Sequence, residues 1–150
     1  MANLQELRIG KISSINYKKG TARVTYEYRD DTTTVELPFL SWEYQMPEVG
    51  DMVVTAHLWG GAAAAVILGP LWHDGHRPVS GKKGLYRKEY ERTQGAAYEE
   101  YNDTSKSFKV VAGGVTLTMQ GGILTVSGSM KVTGDLSVSG DLTVSGTIHN

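Results

Sequence analysis

The most regular part of this chain is its end, where every even position from 122 to 148 is Gly or apolar and every odd position is polar except Ile123. Gly122, Gly128, Gly134, Gly140 and Gly146 recur every six residues. Between them the hexads carry Leu124 and Val126, Met130 and Val132, Leu136 and Val138, Leu142 and Val144, and finally Ile148. Alternation with period two is the mark of extended chain with one buried face. Strands seldom exceed about ten residues, so a run of this length must bend at intervals. The spaced glycines supply those bends at low steric cost. The segment therefore coils and turns a continuous apolar stripe toward an axis.

A single-chain solenoid would spend three hexads on each turn, and five hexads give fewer than two turns. Repeat architectures normally need at least about three stacked units for stability. Three chains wound together remove the difficulty, because each layer then takes one hexad from each chain and the inward Leu and Val fill the axis. Residues 121–150 are accordingly expected to form a triple-stranded β-helix, a needle that rises ~4.8 Å per hexad and stands ~25 Å tall. The predicted trimer core is Leu124, Val126, Met130, Val132, Leu136, Val138, Leu142, Val144 and Ile148, with the five glycines as repeat turns. A flexible Gly/Ser tail has a similar composition but does not hold Leu and Val in phase with Gly.

Upstream, residues 7–72 read as five short strands separated by polar turns. Arg8–Tyr17 alternates loosely, Thr21–Tyr28 alternates cleanly with Ala22, Val24 and Tyr26 on one side, and Thr32–Leu40 is rich in β-branched residues. After the turn Pro47-Glu48-Val49-Gly50-Asp51 come Met52–Leu58 and Ala63–Leu71. The Ala run 62–65 has helical propensity, yet it lies between Gly60-Gly61 and Gly69-Pro70 and reads as strand. Five strands in so short a span suit a small barrel of the OB type over residues 1–72. Residues 73–120 form a connector with short strands: a turn-rich start, a stretch dense in Tyr and charge from Tyr86 to Tyr101, then Lys106–Val111 and Val115–Met119 around Gly113-Gly114. The fold class is all-β, an N-terminal five-stranded OB-like barrel followed by a C-terminal trimeric intertwined β-helix, or β-prism.

Composition narrows the functional classes. Gly is abundant at 18 of 150 residues while Pro is scarce at 4, which fits repeated tight turns and not a collagen or a Pro-rich linker. A formal net charge of −1 draws the chain neither to nucleic acid nor to anionic lipid. With no Cys, neither disulfides nor thiolate metal sites can hold the fold. Burial must do so, and small cores are marginal on their own, which again favours oligomerisation. The first ten residues lack the apolar stretch of a signal peptide, and the Ala-rich run Gly60–Leu71 is too short to span a bilayer. The expectation is synthesis as a soluble chain in the cytoplasm.

Candidate chemistry is sparse. His73 and His76 have a spacing seen in metal sites, but no further ligand accompanies them and a linker turn is the better reading. His57 falls on a strand at the edge of the core. His149 could place three imidazoles on a threefold axis, but its parity points outward, so no metal site and no cofactor are expected. Adjacent Glu99 and Glu100 on a strand face opposite ways and cannot flank one glycosidic bond. Trp42, Trp59 and Trp72 could stack on sugars or bases, but core and interface packing is the better reading. Gly60-Gly61 is followed by Ala, without the Lys-Ser/Thr of a phosphate loop. The chain carries no catalytic motif and is expected not to be an enzyme.

Four stretches resemble the central spike proteins of contractile phage tails and related injection systems, the baseplate assembly protein V family. Ile9-Gly10-Lys11-Ile12 with Ala22-Arg23-Val24 is similar to the opening strands of the family's barrel. Leu37-Pro38 with Pro47 to Val54 is similar to the turn before its fourth strand, and Val66-Ile67-Leu68-Gly69-Pro70-Leu71 to its fifth strand. Tyr98–Val111 and the Gly repeats resemble its tapering β-helix. The likeness spans nearly the whole chain, and it implies a homotrimer located at the virion or injection-particle baseplate. The barrel would attach to tail-hub and baseplate proteins, and the prism would meet the target envelope when the sheath contracts. Nucleic acid is not an expected partner. The chain has no room for the lysozyme domain some members insert. It lacks the terminal His-x-His pair by which others hold a metal, ending instead in Ile148, His149 and Asn150. Such a blunt tip suits capping by a separate tip protein. An OB-fold module for oligosaccharide or nucleic acid, and a trimeric fibre or adhesin, are the alternatives. The first lacks a basic stripe, and the second lacks a receptor-binding head after the hexads.

Overall fold

The computed structural model describes residues 6–41, 43–58, 64–78 and 81–148. It is all-β, with two antiparallel sheets in two compact units that divide between Arg77 and Pro78. The first unit contains β1 (Glu6–Asn16), β2 (Thr21–Tyr26), a 3-10 turn (Glu27–Arg29), β3 (Thr32–Thr33), β4 (Leu37–Pro38), β5 (Met52–His57) and β6 (Ala65–Pro70). Its strands lie in the order β3-β2-β1-β5-β6, and β4 pairs with the other end of β2. The two outer strands are joined beyond β4, where Phe39 bridges Ile67 in parallel and the Leu40 N–H donates to the Ile67 carbonyl at 2.8 Å. The sheet therefore curls until its ends meet.

Inward alternation builds the core. Val24, Leu37, Val53 and Ile67 are fully buried, with Ile12, Ala22, Tyr26 and Ala65 around them and Ile15 and Phe39 packed alongside. The loose alternation of β1 has a local cause: the register shifts between Ile12 and Ser14 opposite β2. This bulge adds one residue, so that Ile12 and Ile15, three apart, both reach the core. Gly10 of β1 lies directly against β2. A Cβ there would stand 2.5 Å from Val24 Cγ1 and 2.8 Å from the Thr25 carbonyl oxygen, a collision no L side chain avoids without parting the strands.

The expected strand Thr32–Leu40 is interrupted. The Thr34 hydroxyl accepts from the Val24 N–H at 3.0 Å, so a side chain replaces a backbone rung and the pairing stops until Leu37. Thr21–Tyr28 is likewise shorter than expected, because Glu27–Arg29 winds into a 3-10 turn ending at Asp30 and Asp31, both in the left-handed region.

The second unit is a meander of β7 (Leu85–Glu89), β8 (Tyr98–Asn102), β9 (Ser107–Ala112), β10 (Val115–Gln120) and β11 (Ile123–Ser127), each antiparallel to the next. Gly113-Gly114 and Gly121-Gly122 are two-residue turns in which all four residues have positive φ, the geometry that joins twisted strands without splaying them. The segment 73–120 thus begins with the last residues of the first unit and supplies four strands of one continuous sheet. The first hexad, expected to open the needle, pairs instead with β10: Leu124 lies opposite Met119 and Val126 opposite Leu117. Among the described residues no strand lies beyond Ser127.

Candidate functional site

The feature that stands out is an exposed apolar surface. Unbroken register carries one row of side chains across all five strands of the second unit, Tyr86, Tyr101, Phe108, Met119 and Leu124. A parallel row runs through Val110, Leu117 and Val126. Directly opposed residues share a face, so one side of the meander is apolar over β9, β10 and β11, while the second row continues into Glu99 of β8 and Lys88 of β7. The other side carries Arg87, Glu100, Lys109, Thr118 and Thr125 in register. A one-sided antiparallel sheet ordinarily packs its apolar face on a core. Here Tyr86, Leu117, Met119 and Leu124 are exposed, and Ala97 is the one buried residue of the second unit among those described.

The stripe continues with the same parity past β11. Met130, Leu136, Leu142 and Ile148 are 67, 65, 67 and 69 % exposed, while Val132, Val138 and Val144 are 46, 47 and 47 % exposed. Such equal values at six-residue intervals mean that each hexad presents its apolar side chains to the same extent. No backbone hydrogen bond ties 128–148 to the rest of the chain among the described residues. The chain turns or bends at each of Gly122, Gly128, Gly134, Gly140 and Gly146. Gly134, with φ of 118°, takes a conformation that an L side chain adopts only with strain. Of the nine apolar residues expected at a trimer axis, eight are exposed and Val126 is half-buried; Leu124 and Val126 belong to β11 and the other seven follow it. His149 and Asn150, expected at the tip with Ile148, fall outside the described residues, as do Trp42 and Trp59.

The polar side of the meander holds a cluster that sequence reading missed. The Arg87 guanidinium lies over the Tyr98 ring, 3.5 Å from its centroid. Its Nε donates to Glu89 at 2.6 Å and its Nη1 to Glu100 at 2.9 Å. Glu89 also accepts from the Gly95 N–H at 3.0 Å, which ties the loop between β7 and β8 to the cluster. The residue types were visible, but nothing local shows that Arg87 and Glu100 are cross-strand neighbours.

In the first unit a second cluster closes one end of the core. The Tyr26 hydroxyl is hydrogen-bonded to Thr55 Oγ1 at 2.8 Å and to His57 Nε2 at 2.7 Å. Arg8 stands over the Tyr26 ring and donates to Glu6 at 2.7 Å, and Arg29 donates to the same carboxylate. Burial, aided by Arg8, holds the His57 imidazole below its ordinary pKa. The hydrogen bond from Arg8 lowers the pKa of Glu6, and burial raises that of the Tyr26 phenol. The parity of Val53, Thr55 and His57 could have placed all three inside. His73 and His76 bridge each other across a tight turn, where His73 Nδ1 accepts from the Gly75 N–H and His76 packs edge-on against Trp72. Glu100 belongs to the Arg87 cluster, and Glu99, next along β8, faces the other side. Among the described residues no group of three His, Cys, Asp or Glu is placed to hold a metal ion.

Comparison with protein-family models and with curated proteins finds no match.

Proposed function

We propose that this chain is the homotrimeric central spike of a contractile injection apparatus, a structural protein and not an enzyme. The carrying observation is the apolar stripe, which crosses five strands and continues in phase through the exposed hexads. An isolated sheet of this kind exposes more contiguous apolar surface than a stable monomer tolerates. Three copies related by a threefold axis would bury the stripe, and a bend every six residues gives each chain one side of a three-sided prism per hexad. Interwound strands leave few free edges, which suits a part that bears shear during penetration. The first unit fits the other half of the reading. With β3, β4 and Phe39 counted as one interrupted strand, five strands close on themselves as a small barrel of the OB type. Its mixed surface charge suits docking to tail-hub proteins at the baseplate. The tip around Ile148 suits capping by a separate protein.

Leu136→Asp and Ser137→Asp test this reading. The first would gather three carboxylates in an apolar column, and burying unpaired charge is very costly. The second adds charge to a solvated rim. Wild type and Ser137→Asp are expected to have the native mass of three chains, and Leu136→Asp that of one. Particles assembled with Leu136→Asp should then lack the spike and fail to deliver their contents. A monomeric wild type, or normal delivery by particles carrying Leu136→Asp, would overturn it.

A further inference from the structure

The first unit has an apolar surface that its core does not use. β1, β5 and β6 turn Leu7, Ile9, Val54, Ala56, Val66 and Leu68 outward, with Leu7 opposite Ala56, Ala56 opposite Val66 and Ile9 opposite Val54. Leu68 sits where the register of β5 and β6 shifts. Leu7, Ile9 and Leu68 are exposed. Around the same sheet the outward residues of β1 and β2 become polar at Lys11, Ser13, Arg23 and Thr25. The charge nearest the apolar side is drawn away from it, because Lys11 Nζ donates to Glu27 beyond β2. The boundary is therefore sharp, and the patch offers neither a charge nor a hydrogen-bonding side chain to a polar ligand.

We infer that this β1-β5-β6 face packs against the same unit of the other two copies in the trimer, forming a second, N-terminal collar. The inference rests on the trimer proposed above. Size selects the occupant. Six side chains, one of them the small Ala56, offer roughly 300–400 Å², whereas a stable complex between independent proteins needs about 800 Å² from each partner. Copies already joined through their C-terminal stripes meet at effective concentrations of order millimolar, where a patch of this size suffices. A solvated patch this apolar would otherwise favour aggregation.

The chain has no Cys, so one introduced thiol reports one position. Leu7→Cys and Leu68→Cys probe the patch, and Thr25→Cys on the polar side is the control. Each full-length variant is reacted with a maleimide, alone and combined with Leu136→Asp, and its native mass is measured in parallel. In the trimer both patch thiols should react about tenfold or more slowly relative to Thr25→Cys, since a covered thiol reacts only from opened states. With Leu136→Asp they should react at the control rate. Patch thiols that react at the control rate in a protein of trimer mass overturn the collar and leave the trimer standing. Slow reaction that survives Leu136→Asp also overturns it, because the cover then lies within one chain. A monomeric mass for the wild type removes the trimer itself, and the mass measurement tells that failure from the other two.

Discussion

The two units of this chain use the same alternation of apolar and polar residues and reach opposite outcomes. In the first, strands curl until Phe39 meets Ile67, and the inward residues of β2, β5 and β6 bury one another. In the second, five strands in simple succession never meet their own ends, and the row from Tyr86 to Leu124 faces outward. Alternation states which side chains want cover; topology decides whether the chain can supply it. A closed sheet does so itself, and in the proposed trimer an open meander followed by hexads leaves it to other copies.

Substitution on the uncovered face should separate the two units most strongly. Leu117→Asp puts a charge in the middle of the meander's apolar side, and burial of that charge in an assembly is prohibitive. The trimer is expected to dissociate and 78–148 to become protease-sensitive while the first unit survives as a resistant fragment. A trimeric, protease-resistant Leu117→Asp protein would show that the face is not buried in the assembly. The converse substitution is Ile67→Ala, at a fully buried core position. It should destabilise the first unit by about 2–5 kcal/mol in denaturant unfolding while the native mass stays that of a trimer.

Arg87→Lys sharpens the contrast on the polar side of the meander. Lys keeps the charge but cannot stack flat on Tyr98 while reaching Glu89 and Glu100 together, so a loss of about 1 kcal/mol in thermal or denaturant unfolding is expected. A larger effect than that of Ile67→Ala would mean that this half-buried cluster, and not the apolar face, organises the second unit. The smallest effect concerns pH. His57 is held below its ordinary value of 6.5, so the folded chain resists the proton that the unfolded chain accepts. Its contribution is complete above about pH 6.5 and is lost as pH falls from there toward the folded-state pKa. Glu6, also lowered, acts only below its ordinary 4.5. Unfolding midpoints of the first unit at pH 7.5 and 5.5 should differ for the wild type and converge in His57→Gln; an unchanged difference would place the pH sensitivity elsewhere.

Strand positions in the first unit were largely legible: Ala22, Val24 and Tyr26 alternate against polar neighbours, and the apolar runs around Val53 and Ile67 stand between turn residues. The break after Thr33 was not, since it depends on the Thr34 hydroxyl reaching Val24, a contact between strands. β7 and β8 were hidden because Arg87, Lys88, Glu89, Glu99 and Glu100 fall on both faces, and only the pairing of Arg87 with Glu100 reconciles them with a sheet. The hexads were legible as a repeat. That the first of them belongs to the meander was not, because one alternation serves equally for a strand that pairs at home and for one that does not.

The equal exposure of successive hexads has a last consequence, for length. Where each repeat presents the same surface, six residues can be removed or added and every side chain beyond the change keeps its side, so in the proposed prism the segment would act as a ruler graduated in units of one strand spacing, ~4.8 Å. Five residues cannot, since an odd change exchanges the two faces and brings Ser and Thr to where Leu and Val stood. Reach is thus adjustable only in whole steps, and the glycines mark the graduations.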